Sequence, residues 1–280
     1  MTDDQLVLGI DGGGTKTVAR IARHDAPVAV LGEGRAGPSN WLTHGPEVAM
    51  QAVIAARDAA FKDAGIANHH ANCTCIALAG AGSAAARATV VRHATAAGLA
   101  DTIRVVHDAE PVLAAAFPDC IGIALLSGTG SIAFGRAADG TTARAGGHGA
   151  AAGDLGSAFA IASAAIRASI VTEPPDITDT RSVAALAPAV IAAAQSGNTA
   201  AAGILDDAAR ALAALVHDVA RELALEAPIP LALAGGVLVG SESIRGLFTS
   251  ALDLDHAPTT IVENPVDGCL RLAALPIKCP

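Results

Sequence analysis

The feature that most constrains this 280-residue chain is a strand, glycine-turn, strand unit that occurs twice. Gln5 to Ile10 is a short apolar run, and Asp11-Gly12-Gly13-Gly14-Thr15-Lys16-Thr17 forms the turn. Val18 to Ala22 then alternates with polar residues, ahead of a third strand at Val28 to Leu31. About 117 residues later Ile121 to Leu126 leads into Ser127-Gly128-Thr129-Gly130-Ser131, followed by Ile132 to Gly135 and a weaker strand at Thr141 to Ala145. Each copy reads as an antiparallel hairpin plus a neighbour, and the duplication is the organising feature of the chain. Both turns put glycines and hydroxyls where backbone must approach another group closely.

Between the copies the pattern alternates. Pro46 to Ala64 is helical, with Pro in the first turn and Gly65 past the end. Thr74 to Ala79 is a strand, Ala84 to Ala97 a helix closed by Gly98, and Ile103 to Val106 a strand, giving the order β, β, β, α, β, α, β. In the second half helices are expected around Ser157 to Ala168, Ser182 to Gln195 and Asp206 to Leu225, then a strand at Pro230 to Ala234 and a helix at Ser241 to Ser250. Pro174-Pro175 marks a loop.

Composition removes whole classes of function. The mean hydropathy of +0.46 comes from Ala and 29 Gly, and uncharged stretches such as Asn72 to Ala86 and Cys120 to Gly135 are broken by Gly, Ser and Thr. No membrane span is expected. The acidic start Met1-Thr2-Asp3-Asp4 is not a signal peptide, so a cytoplasmic location is expected. A net charge of −9, unclustered basic residues, one Trp and no Tyr leave nothing to track a phosphate backbone or stack bases, so no nucleic acid partner is expected. The five Cys, at 73, 75, 120, 269 and 279, form no CxxC and have no His at finger spacing, so no structural zinc is expected. Cys73 and Cys75 share one strand face as small hydrophobes. His69, His70 and His107 lack ligand spacing and read as surface or supporting residues.

The glycine turns match neither common phosphate loop. Lys16 is preceded by Thr15 where Walker A needs Gly, and Thr17 stands at the last glycine of a dinucleotide fingerprint, with a strand following instead of a helix. Gly128-Thr129-Gly130 with Ala133 also continues as a strand. Two hairpins whose backbone N–H groups and hydroxyls surround nucleotide phosphates fit better. Thr15, Thr17, Thr129 and Ser131 supply hydroxyl donors, and Asp11 an oxygen for Mg²⁺, directly or through water.

These turns, with Leu233-Ala234-Gly235-Gly236-Val237, resemble the phosphate 1, phosphate 2 and adenosine motifs of the sugar kinase and actin superfamily. Within it the chain is similar to the BadF/BadG/BcrA/BcrD ATPase family, in its N-acetylglucosamine kinase and glucosamine kinase branch. Ser39-Asn40-Trp41, Ala79-Gly80-Ala81-Gly82, His107-Asp108-Ala109, Gly146-Gly147-His148-Gly149 and Gly153-Asp154-Leu155-Gly156-Ser157 follow in the family's order, and Pro265 to Leu272 resembles its closing segment. The resemblance implies an α/β fold of two ribonuclease-H-like (actin-like ATPase) domains facing across a cleft. These are residues 1–117 and 118–262, with 263–280 returning to the first. It also implies a homodimer that uses ATP and Mg²⁺, with Gly12, Gly13, Gly14, Thr15, Lys16, Thr17, Gly128, Thr129, Gly130, Ser131, Gly235 and Gly236 at the nucleotide.

Asp108 follows an apolar strand, so its carboxylate stands at the strand's carboxyl end, either as a general base or as a helix N-cap. The family has its catalytic Asp there, accepting the proton of the sugar's 6-hydroxyl. By the same resemblance Asn40 and Asp154 bind sugar, and Gly80, Ala81, Gly147 and Gly149 let backbone line the pocket. The plain alternatives are a turn at Pro38-Ser39 for Asn40 and a helix cap near Ser157 for Asp154. Trp41 borders the sugar or belongs to the core, and Lys16 meets a phosphate or projects into solvent. His148 stands where relatives carry an aromatic and Leu155 where many have Glu or Gln, which leaves glucosamine and N-acetylglucosamine both open as substrate. Two other readings share the fold: an ATPase activating a partner enzyme through a cysteine-ligated cluster, and a sugar-binding protein without turnover.

Overall fold

The computed structural model describes residues 5–149, 154–171, 176 and 178–276. Gly153, Pro174, Pro175 and Cys279 lie outside the described residues, and so does the loop expected at Pro174-Pro175. Internal contacts divide the chain into two units, one up to Asp119 and again from Asn264, the other Cys120–Glu263.

In the first unit β1 (Leu6–Gly12), β2 (Thr17–Arg23) and β3 (Ala26–Ala36) form an antiparallel meander, with Gly12 opposite Thr17 at the hairpin end. The helix α1 (Trp41–Asp63) precedes β4 (Ala71–Leu78), α2 (Ala84–Ala96) precedes β5 (Ala100–Val106), and α3 (Glu110–Ala116) follows. The sheet order is β3-β2-β1-β4-β5, with β1, β4 and β5 parallel. Period-two alternation sends Leu8 and Ile10 of β1 into a core with Val53, Ala56, Ala60 and Phe61 of α1 and Val90 and Ala94 of α2. Truncating either β1 residue to Ala would cost about 2–5 kcal/mol.

The second unit repeats the plan. It contains β6 (Gly122–Ser127), β7 (Ser131–Arg136), β8 (Thr142–Gly146), α4 (Ala158–Arg167), α5 (Thr180–Ala184), α6 (Ala187–Gln195), α7 (Thr199–Leu223), β9 (Leu231–Ala234), α8 (Gly236–Gly240), α9 (Glu242–Ala251) and β10 (Thr260–Val262). Its order, β10-β9-β6-β7-β8, is that of the first sheet strand for strand. Ile123 and Leu125 of β6 pack with Leu205, Leu212 and Val216 of α7 and Phe248 of α9. A last helix, α10 (Val266–Ala274), belongs to the first unit. It lies so near that a Cβ on Gly268 would overlap the Pro111 carbonyl, while Cys269 Sγ meets the Ile10 carbonyl at 3.3 Å and Arg271 Nη1 donates to Ala114 and Ala115.

Element boundaries differ from the sequence reading for local reasons. Asn40 starts α1 at Trp41, and the expected Pro46 opens its second segment after a break at Gly45 (φ 78°). The helix expected over Ser182 to Gln195 is two, because Pro188 has no N–H and restarts it. The helices α3 and α8 and the strand β10 are too short to show a period and were not expected. Cys75 is buried as expected, whereas Cys73 is half-buried.

Candidate functional site

At the carboxyl end of the first sheet Asp11 stands beside Ala77 of β4, and Ala77 beside Val106 of β5. Asp11 and Asp108, two residues past Val106, therefore emerge at the same end, where open α/β sheets hold ligands. The Asp11 carboxylate has no hydrogen-bond partner among the described residues. Burial, and then the charge of Asp108, push its carboxyl up to about 7, with Lys16 pulling the other way from an exposed position on the turn.

The turn itself is closed by Gly13 N donating to the Lys16 carbonyl at 2.9 Å. A Cβ on Gly12 would overlap Ser39 Oγ and press Leu78, so glycine is needed here for packing. Around Gly13 and Gly14, in contrast, the space is open, and Thr15 is exposed. Thr17 corrects the sequence reading. It is fully buried, and its Oγ1 lies 2.7 Å from the Gly37 carbonyl and 2.7 Å from Ser39 Oγ, so its hydroxyl secures the hairpin base and is not available to a phosphate.

Asn40 is neither a free side chain nor a stabiliser of the Pro38-Ser39 turn. Its Oδ1 accepts from Leu42 N (3.0 Å) and Thr43 N (3.2 Å), capping α1, which leaves the carboxamide nitrogen without a partner among the described residues. Gly80 (φ 82°) lies against that Oδ1, and Ala81 is buried in the turn after β4. Trp41 is a second correction. Its side chain is only 6% exposed, in the core of the first unit and edge-on to His93 with centroids 5.6 Å apart, so it packs as a core residue.

Asp108 does not cap α3. The N-cap position is Ala109, with no side-chain cap bond. The Asp108 side chain is 29% exposed, and its Oδ1 is 2.9 Å from Nδ1 of the buried His107.

In the second unit the glycine turn repeats the first in its division of labour. Thr129 is exposed at the tip, whereas Ser131 opens the return strand as Thr17 does, buried, its Oγ donating to the Leu155 carbonyl at 2.7 Å. Ser131 therefore also holds its hairpin and is not available to phosphate. Asp154 is 8% exposed and does not cap α4, which Ser157 does; its Oδ1 accepts from His148 N (3.1 Å) and Gly149 N (3.0 Å). A Cβ on Gly130 would overlap Asp154 Oδ2, so this carboxylate joins the phosphate-type turn to the loop carrying Gly147 and Gly149. Gly235 (φ 88°) packs on the Ser127 backbone after β9, and Gly236 opens α8 with free space around it, 4.0 Å from where a Cβ of Gly128 would stand. Sequence reading assigned no role to Ser39; a lone serine carries no pattern that reveals its bond to Thr17.

Two sheets of one topology, each with a glycine turn between its first two strands, define an actin-like ATPase fold of two ribonuclease-H-like units. Residues 8–253 match the BadF/BadG/BcrA/BcrD ATPase family, and the chain belongs to it. It is 29% identical over 294 aligned positions to an N-acetylmuramic acid/N-acetylglucosamine kinase of Clostridium acetobutylicum, covering 94% of this chain and 95% of that protein. Among solved structures it is similar to a candidate N-acetylglucosamine kinase from Chromobacterium violaceum (TM-score 0.75, 23% identity, 97% of this chain and 99% of that one). A second, from Porphyromonas gingivalis, has a TM-score of 0.71 at 18% identity, covering 96% and 98%.

Proposed function

We propose that the protein is an ATP-dependent kinase that transfers the γ-phosphoryl group to the 6-hydroxyl of an amino sugar, N-acetylglucosamine or glucosamine, with Asp108 as general base. The observation that carries this is the pair of carboxylates at one sheet end, one half-buried and without a hydrogen-bond partner among the described residues, the other partly exposed and not spent on a helix cap. A base must lie within hydrogen-bond reach of the hydroxyl it deprotonates, and a partly exposed carboxylate at a strand's carboxyl end meets that need.

Asp11 suits a hard cation: it is an oxygen donor with no hydrogen-bond partner among the described residues, and burial raises the cost of its charge until a cation offsets it. Mg²⁺ would supply charge neutralisation at the transferring phosphates. On the nucleotide, Gly13, Gly14, Thr15 and Lys16 of one turn and Gly128 and Thr129 of the other are the candidate contacts, with open space around Gly13 and Gly14 and with Thr15, Lys16 and Thr129 exposed, and Gly235 and Gly236 are the candidates at the nucleoside. Gly12, Thr17, Gly130 and Ser131 hold the turns in shape. Asn40, through its uncommitted nitrogen, and Asp154, through its second oxygen, hold sugar hydroxyls, with Asp108 taking the 6-hydroxyl proton as the phosphoryl group arrives. Gly80 and Ala81 in the first unit, and Gly147 and Gly149 in the second, are further candidates for backbone contacts to sugar. The protein would act as a homodimer in the cytoplasm.

An ADP-release assay over glucose, glucosamine, N-acetylglucosamine, N-acetylmannosamine and N-acetylmuramic acid tests the reading, with Asp108→Asn expected to lower turnover about 10²–10⁴-fold while both substrates still bind. ADP release that no sugar stimulates would point instead to an ATPase serving a partner protein.

A further inference from the structure

We propose that Gly130, in the second glycine turn, is a positioning residue for the sugar. Its missing side chain leaves the Asp154 carboxylate where it holds a sugar hydroxyl, so a turn assigned to the nucleotide also shapes the sugar's contact in the second unit. The inference rests on the reading of Asp154 as a sugar ligand. Asp154 is 8% exposed, and its Oδ1 accepts from two backbone donors, His148 N at 3.1 Å and Gly149 N at 3.0 Å. Its Oδ2 has no hydrogen-bond partner among the described residues and is the oxygen left for a ligand. Gly130 faces that same oxygen. A Cβ built on Gly130 would overlap Oδ2 and stand 3.5 Å from Cγ. The backbone of Gly130 is outside the left-handed region, so space and not conformation demands glycine here.

The carboxylate cannot yield to such a methyl group cheaply. Rotating it away breaks two hydrogen bonds to a charged acceptor. Withdrawing its backbone is opposed by bonds that tie the following residues to the turn. Ser131 Oγ donates to the Leu155 carbonyl at 2.7 Å, Ser127 Oγ to the Gly156 carbonyl at 2.8 Å, and Ala158 N to the Gly128 carbonyl at 2.8 Å. The loop that donates to Oδ1 is tied to the same turn, because Gly147 N donates to the Ser131 carbonyl at 2.8 Å. Gly128 differs from Gly130 although both belong to one turn. The nearest atom to a Cβ on Gly128 is Gly236 N at 4.0 Å, so that glycine borders free space, whereas the missing Cβ of Gly130 makes room for Asp154.

The test measures the Kd of N-acetylglucosamine, glucosamine and ADP by calorimetry for wild type, Gly130→Ala, Gly128→Ala, Asp154→Ala and the variant carrying both Gly130→Ala and Asp154→Ala, with melting temperatures alongside. Displacing the carboxylate forfeits one hydrogen bond to a charged group, so Gly130→Ala is expected to raise the Kd of the bound sugar about 10- to 100-fold while the Kd of ADP stays within about 3-fold. Gly128→Ala, which meets nothing, is expected to leave the sugar Kd within about 2-fold. In the Asp154→Ala background Gly130→Ala is expected to make no further difference to sugar, because nothing remains for the methyl group to displace. Should Gly130→Ala not fold, hydrogen exchange of wild type replaces it, with sugar alone expected to slow exchange across residues 127–131. Wild-type sugar affinity in Gly130→Ala, a loss shared equally by ADP or by Gly128→Ala, an undiminished loss in the Asp154→Ala background, or exchange across the turn that ignores sugar overturns the inference and leaves the reading of Asp154 standing. An Asp154→Ala variant that binds sugar as wild type does, or a wild type that binds neither sugar, overturns that reading, and the inference with it.

Discussion

Replacing Asp11 with Asn should make the ligand-free protein more stable while abolishing its activity, and both effects follow from one carboxylate. In the folded chain burial, and then the neighbouring Asp108, raise the Asp11 carboxyl from 3.8 to about 7. At about 1.36 kcal/mol per pH unit that rise sets a ceiling of ~4 kcal/mol, and solvent reaching this half-buried group reduces it to about 2 kcal/mol. The folded state holds the proton more tightly than the unfolded one, so stability is lost as pH rises between about 4 and 7 and the full cost applies above that window. Asparagine carries no charge at any of these values and, since the carboxylate has no hydrogen-bond partner among the described residues, forfeits no hydrogen bond. Thermal melts with EDTA and no nucleotide should show the variant and wild type alike near pH 4, with the variant ahead by about 5 °C near pH 8. In an Asp108→Asn background the window should close at a lower pH, because the second cause of the shift is gone. Mg²⁺ and ATP together should then stabilise wild type more than the variant. Equal differences at both pH values, or a wild type more stable than Asp11→Asn near pH 8, would refute the account of this site.

The two threonines of the first turn should separate cleanly. Thr17→Val, which strips a buried hydroxyl from Gly37 and Ser39, should cost about 1–3 kcal/mol in urea unfolding, whereas Thr15→Ala should leave stability unchanged and raise the KM for ATP. Trp41→Phe should keep the KM for sugar within about 3-fold and lower the melting temperature, as a core aromatic does. Gly268→Ala, whose new methyl would meet the Pro111 carbonyl, should destabilise the first unit by several kcal/mol, visible as earlier protease cleavage in that unit. Asp154→Ala should weaken sugar binding in calorimetry with ATP affinity little changed, since it frees the N–H groups of His148 and Gly149.

Much of the fold was legible because it is written in repeated local patterns. The two strand-turn-strand openings could be aligned by eye, and the parallel strands β4, β5 and β9 stood out as apolar runs closed by small or turn-forming residues. The short elements were not legible. A helix of five residues at Gly236–Gly240 or a strand of three at Thr260–Val262 spans too little chain to show a period. At the site, residue type and order identified which side chains gather at each turn but not which atoms were already committed. Thr15 and Thr17 look equivalent in sequence, yet the alternation of a strand turns Thr17 inward to Gly37 and leaves Thr15 out. Trp41 misled for the same reason: standing next to Asn40 in sequence, it is carried by the first turn of α1 to the side that packs on α2. The alternative of Asp154 as a helix cap fails because Ser157, three residues on, caps α4 itself.

The return of α10 to β1 sets an order on synthesis. A nascent chain that has emerged as far as Glu263 holds every residue of the second unit, whereas the first still lacks the helix whose Cys269 and Gly268 close against Ile10 and Pro111. The unit begun first is therefore the one finished last. Until α10 arrives, the face of β1 that carries Gly9 and Asp11 stays open to water and to chaperones. The sheet end that carries Asp11 is therefore completed only when almost the whole protein has been made.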